Sequence, residues 1–188
     1  MAEGKDVTWS IDTFASSICP ARNMGVVKML ESDATHLLTI DDDVWGSPGD
    51  LHRLLSAGQL VATGVTPTIQ NGKSRPHYNI ANDTDGIHHQ PRWLTEFPDG
   101  TFPVAYCGGS CLLVHRAVYE QLDFPWYEIK EAYGNGYHTV RTEDIVLCDK
   151  LREISVGVMC VSGVQLSHSK EIDIAHVIQN EYELTRGV

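Results

Sequence analysis

Three consecutive carboxylates, Asp41, Asp42 and Asp43, stand directly behind the apolar run Leu37, Leu38, Thr39, Ile40 in the segment ATHLLTIDDDVWGSPGDL, residues 34–51. Adjacent carboxylates repel and raise one another's pKa unless positive charge sits between them. A divalent cation supplies that charge. Clustered oxygen ligands suit hard cations such as Mg2+ or Mn2+, which keep several waters and take one or two protein carboxylates together with substrate phosphates. That chemistry belongs to a nucleotide-diphosphate site rather than to a closed structural cage. The competing reading makes the aspartates caps for the helix that opens near Ser47, but a cap needs one oxygen, not three adjacent charges.

In open α/β sheets ligands bind beyond the carboxyl ends of the strands, so the elements around these residues matter. VTWSI (7–11) reads as a strand. SSICPARNMGVVKMLES predicts a helix with Ser17 as cap, Pro20 in the first turn, and Val26, Val27 and Leu30 on its apolar face. THLLTI is a short continuous apolar run that predicts a central strand buried on both faces. Ser47, Pro48 and Asp50 open the next helix, whose Leu51, Leu54 and Leu55 share a face before Gly58 stops it. QLVATGV is another buried strand, and this alternation predicts an α/β domain with a mainly parallel sheet.

From Thr66 to Pro103 the pattern dissolves into Pro, Gly, Asn, Asp and His. Long irregular stretches in compact domains are usually functional. His77, Tyr78, His88, His89, Trp93 and Phe97 lie there, suited either to stacking on sugar rings or to anchoring the segment. VAYCGGSCLLVHRAVYEQL then predicts a strand, a break at Gly108 and Gly109 where the backbone turns or a ligand approaches, a second strand and a short helix. In RTEDIVLCDKLREI, Thr142 is the N-cap and Leu147, Leu151 and Ile154 form the apolar face, which puts Glu143 and Asp144 in the first turn. VGVMCV and VQLSH read as strands, and EIDIAHVIQNEYEL as a surface helix.

The chain has 188 residues, enough for one domain with a real core. With 25 Asp and Glu against 14 Lys and Arg, its net charge of -11 argues against binding a nucleic-acid backbone. No apolar run reaches the roughly 18 residues of a membrane span, and MAEGKDVTWS lacks a signal peptide's apolar region, so a soluble, cytoplasmic protein is expected. The five cysteines are odd in number and scattered through apolar runs, as reduced core residues are. Cys107 and Cys111 could form half a zinc site, but no second pair completes it.

THLLTIDDDVWGSPGDLHRLL resembles the Asp-x-Asp segment of GT-A glycosyltransferases, close to family-2-type enzymes and the related mannosyltransferase-like proteins. Upstream, ICPARNMGVVKMLESDATH is similar to that family's Ala-Arg-Asn helix. Downstream, YCGGSCLLVHRAVYEQL, FPWYE, TEDIVLCDKLRE and VQLSHS resemble, in order, its glycine-containing acceptor segment, its aromatic, its Glu-Asp helix and its late histidine. The resemblance implies a single GT-A-like domain over 1–188 with a Rossmann-like α/β/α sandwich and a mostly parallel sheet. Residues 1–65 would form the nucleotide and metal half, 66–170 the acceptor and catalytic half, and 171–188 a C-terminal helix.

By the same resemblance, Asp41 and Asp43 are the Asp-x-Asp pair, contacting ribose and a Mn2+ or Mg2+ ion, with Asp43 the direct ligand and His168 the third group near the metal. Asp144 would be the catalytic base, with Glu143 beside it as the alternate. A metal neutralises charge on a departing diphosphate while a base deprotonates the acceptor hydroxyl, and a carboxylate at a helix N-terminus is held ionised by the dipole. Asp42, Arg22 and Asn23 are candidates for the donor's ribose and diphosphate. Trp45, Gly108, Gly109 and Trp126 are candidates for the substrate side. The implied partners are a nucleotide-sugar donor and a glycan or other hydroxyl acceptor.

The family's first strand, loop and helix, which hold the nucleotide base, have no counterpart ahead of VTWSI, so self-association along that strand edge is a further expectation. Two rivals stand beside the transferase. TIDDDVWGS also resembles the Asp-x-Asp-x-Val motif of haloacid-dehalogenase-type phosphatases, with Asp41 as nucleophile and Asp43 as acid or base. Alternatively the chain binds sugar or nucleotide without turnover.

Overall fold

The structure, a computed structural model, describes residues 7–8, 17–68, 77–84, 90–134 and 137–169. Most of the expected strand over 7–11, together with His88, His89 and the helix expected over 171–184, lies outside the described residues. In chain order the elements are α1 (Ile18–Leu30), β1 (His36–Ile40), β2 (Val44–Trp45), α2 (Asp50–Ser56), β3 (Val61–Val65), β4 (Pro67–Thr68), β5 (His77–Tyr78), β6 (Ile80–Thr84) and β7 (Pro91–Trp93). They continue with β8 (Thr101–Val104), β9 (Tyr106–Cys107), β10 (Cys111–His115), α3 (Arg116–Tyr119), β11 (Lys130–Gly134), β12 (Tyr137–Arg141), α4 (Glu143–Glu153), β13 (Val158–Gln165) and β14 (Ser167–His168).

The main sheet has five strands in the order β1-β10-β3-β13-β8. It corrects the expectation of a mostly parallel, Rossmann-like sheet. β10 runs antiparallel to both β1 and β3, and β8 antiparallel to β13, leaving β3 with β13 as the one parallel pair of this sheet. Alternating strand and helix did put β1 and β3 in the same direction, but β10 returns between them and pairs with each. Among the described residues β1 is a terminal strand of the sheet, half-buried along most of its length, where its apolar run predicted a central one.

Period-two alternation sorts the sheet's side chains between two cores. Leu112 and Val114 of β10 join Val61 and Val65 of β3 on the face covered by α1 and α4, with Val26, Met29, Leu147 and Leu151. Cys111 and Leu113 join Ala62, Val161 and Val164 on the other face, beneath Leu54 of α2. Helices thus cover both faces. The cysteines among these residues are free thiols, all buried except Cys19.

The stretch 66–103, read as irregular, instead contributes strands β4 to β8. They are two to five residues long, too short for a periodic signal, and Pro67, Pro91 and Pro103 occupy strand positions. Pro103 sits on β8, the other terminal strand of the sheet among the described residues, where a missing backbone donor is tolerated. The hairpin β11-β12 is not among the expected elements, although Asn-Gly at 135–136, between the paired Gly134 and Tyr137, is the usual sequence of a two-residue hairpin loop. Among the described residues no helix is long and apolar enough to cross a membrane.

Candidate functional site

The three aspartates leave the end of β1 in a turn closed by Val44 N–H donating to the Asp41 carbonyl at 3.1 Å. The turn fans their side chains apart. Asp41 points back to Arg22, whose Nη2 donates to its Oδ1 at 2.9 Å. Asp42 is exposed. Asp43 turns to His168, with Oδ2 2.9 Å from Nε2. Pairing of β2 with β14 brings that histidine in: His168 lies opposite Val44, and Ser169 N–H donates to the Asp43 carbonyl at 2.8 Å.

The protonation of His168 follows from its second contact. Nδ1 lies 3.0 Å from the Pro67 carbonyl oxygen, which can only accept, so Nδ1 carries the hydrogen. With Nδ1 so engaged, the contact between Nε2 and Asp43 Oδ2 at 2.9 Å is either an imidazolium donating to the carboxylate or a lone pair and a carboxylate oxygen that share a cation. Among the described residues no group of three or more His, Cys, Asp or Glu side chains converges as a metal cage would require.

Arg22 lies on the buried face of α1, one turn before Val26, and is 7% exposed. Its guanidinium bonds Asp41 at one end and, through Nη1, Glu143 Oε1 at 2.6 Å at the other, with the Tyr127 ring 5.8 Å away. Burial works against its charge, but Asp41, Glu143 and Tyr127 outweigh it and hold the guanidinium pKa above its usual value. Glu143 is 6% exposed, and its pKa is raised by burial and then by Asp144, against the lowering influence of Arg22. The ion pair occupies Glu143.

Asp144, next in the first turn of α4, is half-buried and faces the glycine turn before β10. Its Oδ2 accepts from Gly109 N–H at 3.3 Å, and its Oδ1 from the Thr142 hydroxyl at 2.5 Å. Thr142 is the N-cap residue, as expected, but its hydroxyl is given to Asp144 rather than to the helix backbone.

Gly109 is glycine because Arg22 passes over it. A Cβ there would lie 2.0 Å from Arg22 Nη1 and 2.4 Å from Cζ. The guanidinium is fixed at both ends and cannot yield, so Gly109→Ala is expected to destabilise the protein by about 1–3 kcal/mol, the range for overpacking a filled interior. Denaturant unfolding measures it, and a midpoint equal to that of the unmodified protein would show that Arg22 is free to move.

The remaining candidates scatter. Asn23 donates from Nδ2 to the Tyr127 carbonyl at 2.7 Å and accepts from Tyr127 N–H at 3.0 Å, so its amide ties α1 to the segment before β11. Trp45 is 55% exposed beside the Asp43–His168 pair, across from Ser167. Trp126 is packed into the core, where its indole N–H donates to the Tyr119 carbonyl at 3.0 Å. Trp93, Tyr78 and Phe97 pack against the same core. Sequence reasoning missed Asn79, Ser110 and the carbonyl of Pro67, none of which carries a motif.

No protein-family model and no curated protein matches the chain. Solved structures do. That of A197 from STIV superposes with a TM-score of 0.58 at 18% identity, over 83% of this chain and 69% of that one. That of GalNAc-T7 with UDP, GalNAc and Mn2+ gives a TM-score of 0.56 at 12% identity, over 83% of this chain and 31% of that one. At these identities the likeness is one of fold alone.

Proposed function

We propose that this protein is a metal-dependent glycosyltransferase that moves a hexosyl group from a nucleotide-diphosphate sugar to an acceptor hydroxyl, with inversion. The observation that carries the proposal is the Asp43–His168 pair, with Oδ2 and Nε2 2.9 Å apart, in a fold shared with a protein whose structure holds UDP, a sugar and Mn2+. An imidazole nitrogen beside a carboxylate fits Mn2+ better than Mg2+, which prefers an all-oxygen shell. Pro67 fixes the histidine tautomer that such a ligand needs. When bound, the ion would neutralise charge developing on the departing diphosphate.

The chain's own groups divide the remaining work. Asp41, held by Arg22, lies toward the donor's ribose, and exposed Trp45 offers a ring face beside the cation pair. Asp144 takes the proton from the acceptor hydroxyl as that oxygen attacks the anomeric carbon, and the electron pair of the breaking bond stays with the diphosphate. Glu143, engaged by Arg22, is the weaker candidate for base. The phosphatase alternative asks Asp41 to be a free nucleophile, whereas its carboxylate is paired with Arg22.

Asp144→Asn tests the assignment. The amide keeps size and hydrogen bonding but cannot take a proton, so donor affinity should persist while transfer falls about a hundredfold or more. The donor is found first by a thermal-shift panel of nucleotide sugars with and without Mn2+, because a ligand of the native state raises its stability. Full transfer by Asp144→Asn would move the base elsewhere, and a panel without any Mn2+-dependent shift would count against the whole proposal.

A further inference from the structure

We propose that Asn79 is a positioning residue that couples the cation side of the site to the base side; its kinetic consequences rest on the transferase proposal, its structural ones do not. Asn79 is 7% exposed, directly ahead of β6. Its side-chain Oδ1 accepts from Thr66 N–H at 2.7 Å and its Nδ2 donates to Ser110 Oγ at 3.3 Å. The Ser110 hydroxyl donates in turn to Thr66 Oγ1 at 3.0 Å, closing a buried ring of three side chains. The Asn79 backbone adds two bonds, accepting from Gly108 N–H at 2.7 Å and donating to the Thr66 carbonyl at 3.0 Å.

Each partner of Asn79 is one step from a proposed functional group. Thr66 precedes Pro67, whose carbonyl sets the tautomer of His168. Gly108 precedes Gly109, whose N–H meets Asp144. The Ser110 carbonyl accepts from Asp41 N–H at 3.2 Å at the start of the aspartate turn. Backbone ladders flank this junction, Pro67 with Tyr78 and Ile80 with Cys107, and the Asn79 side chain cross-links Thr66 to Ser110 between them. Removing the buried amide leaves the Thr66 N–H unsatisfied, and the chain relaxes to recover a partner for it. Without that cross-link, the separation between the Asp43–His168 pair and Asp144 loses its internal spacer.

A residue that only stabilised the fold would lower the melting temperature and leave kcat unchanged. Asn79 should do something different. In Asn79→Ala, exchange of the Thr66 amide, which loses the Asn79 Oδ1 acceptor, should quicken about tenfold while amides at the centre of β13 keep their rates, because the opening is local. With the nucleotide sugar found by the thermal-shift panel, kcat should fall at least about tenfold and donor KM change little, since small misplacement of reacting groups is costly. Ser110→Ala should act in the same direction, and the double variant should lose less than the sum.

Amide exchange is followed by mass spectrometry or NMR in the ligand-free protein and needs no activity. Should Asn79→Ala fail to fold, Ser110→Ala carries the same comparison. Acceleration spread evenly over all amides, or a lowered melting temperature with kcat intact, would overturn the positioning role. A wild-type protein that turns over no nucleotide sugar would sink the transferase proposal and leave local exchange at Thr66 to decide this one.

Discussion

Replacing Asp43 by alanine is expected to abolish Mn2+-dependent binding of a nucleoside diphosphate while leaving the protein folded. The side chain is 45% exposed and its hydrogen-bond partner is His168; the bond from Ser169 reaches the Asp43 backbone and survives the substitution. Removing one of three adjacent carboxylates also relieves repulsion, so the stability change should stay within about 1 kcal/mol, as at other surface positions. Affinity responds differently. Mutating residues that merely orient a ligand typically weakens metal binding about 10–100-fold, and loss of a direct ligand should exceed that range. Calorimetry with Mn2+ and uridine diphosphate reads the effect. His168→Ala should reproduce it and Asp42→Ala, at an exposed position, should not. Retained Mn2+-dependent affinity in Asp43→Ala would remove the cation from this pair.

The elements that place Asp43, Asp144 and the glycine turn were legible because each rests on local chemistry. Thr142 stands at the N-cap of α4, Gly108 and Gly109 break the chain between β9 and β10, and VATGV is buried throughout as β3. The sheet's direction was not legible. An apolar run marks a strand but not which neighbour it has or which way that neighbour points. THLLTI reads as a central parallel strand, yet β10 lies against it in antiparallel register and, among the described residues, no strand pairs with its far side.

The same limit applies within the site. Arg22 in CPARNM has the ordinary composition of a helix surface, and the apolar face was read from Val26, Val27 and Leu30. The buried face instead runs through Arg22, Val26 and Met29. What admits an arginine there is a pair of carboxylates 19 and 121 residues away. Spacing cannot reveal such partners. Asn79 is a stronger case, since the meaning of its amide comes from Thr66 and Ser110, 13 and 31 residues away in the connections between other strands.

Arg22→Met should therefore cost stability in a way that depends on pH. The substitution keeps an apolar stem of similar size but leaves the Glu143 carboxylate, 8% exposed, without its cation. Breaking a buried pair from one side typically costs about 3–5 kcal/mol, because the abandoned charge stays desolvated. Asp41 adds little, being 34% exposed and able to regain water. Already in the unmodified protein, burial and then Asp144 raise the Glu143 pKa above its ordinary 4.5, with Arg22 opposing them. A carboxyl raised by folding stabilises the native state below its unfolded pKa, and that contribution is lost as pH rises through the folded value. Without Arg22 the folded value climbs further, so the variant's deficit should grow from about pH 4 toward neutrality and shrink again in acid, where protonated Glu143 needs no cation. Urea unfolding near pH 7 and near pH 4 provides the comparison, and adding Glu143→Gln should recover much of the neutral-pH loss. Equal deficits at both pH values would place the cost in the packing of the guanidinium between Gly109 and Tyr127 rather than in its charge.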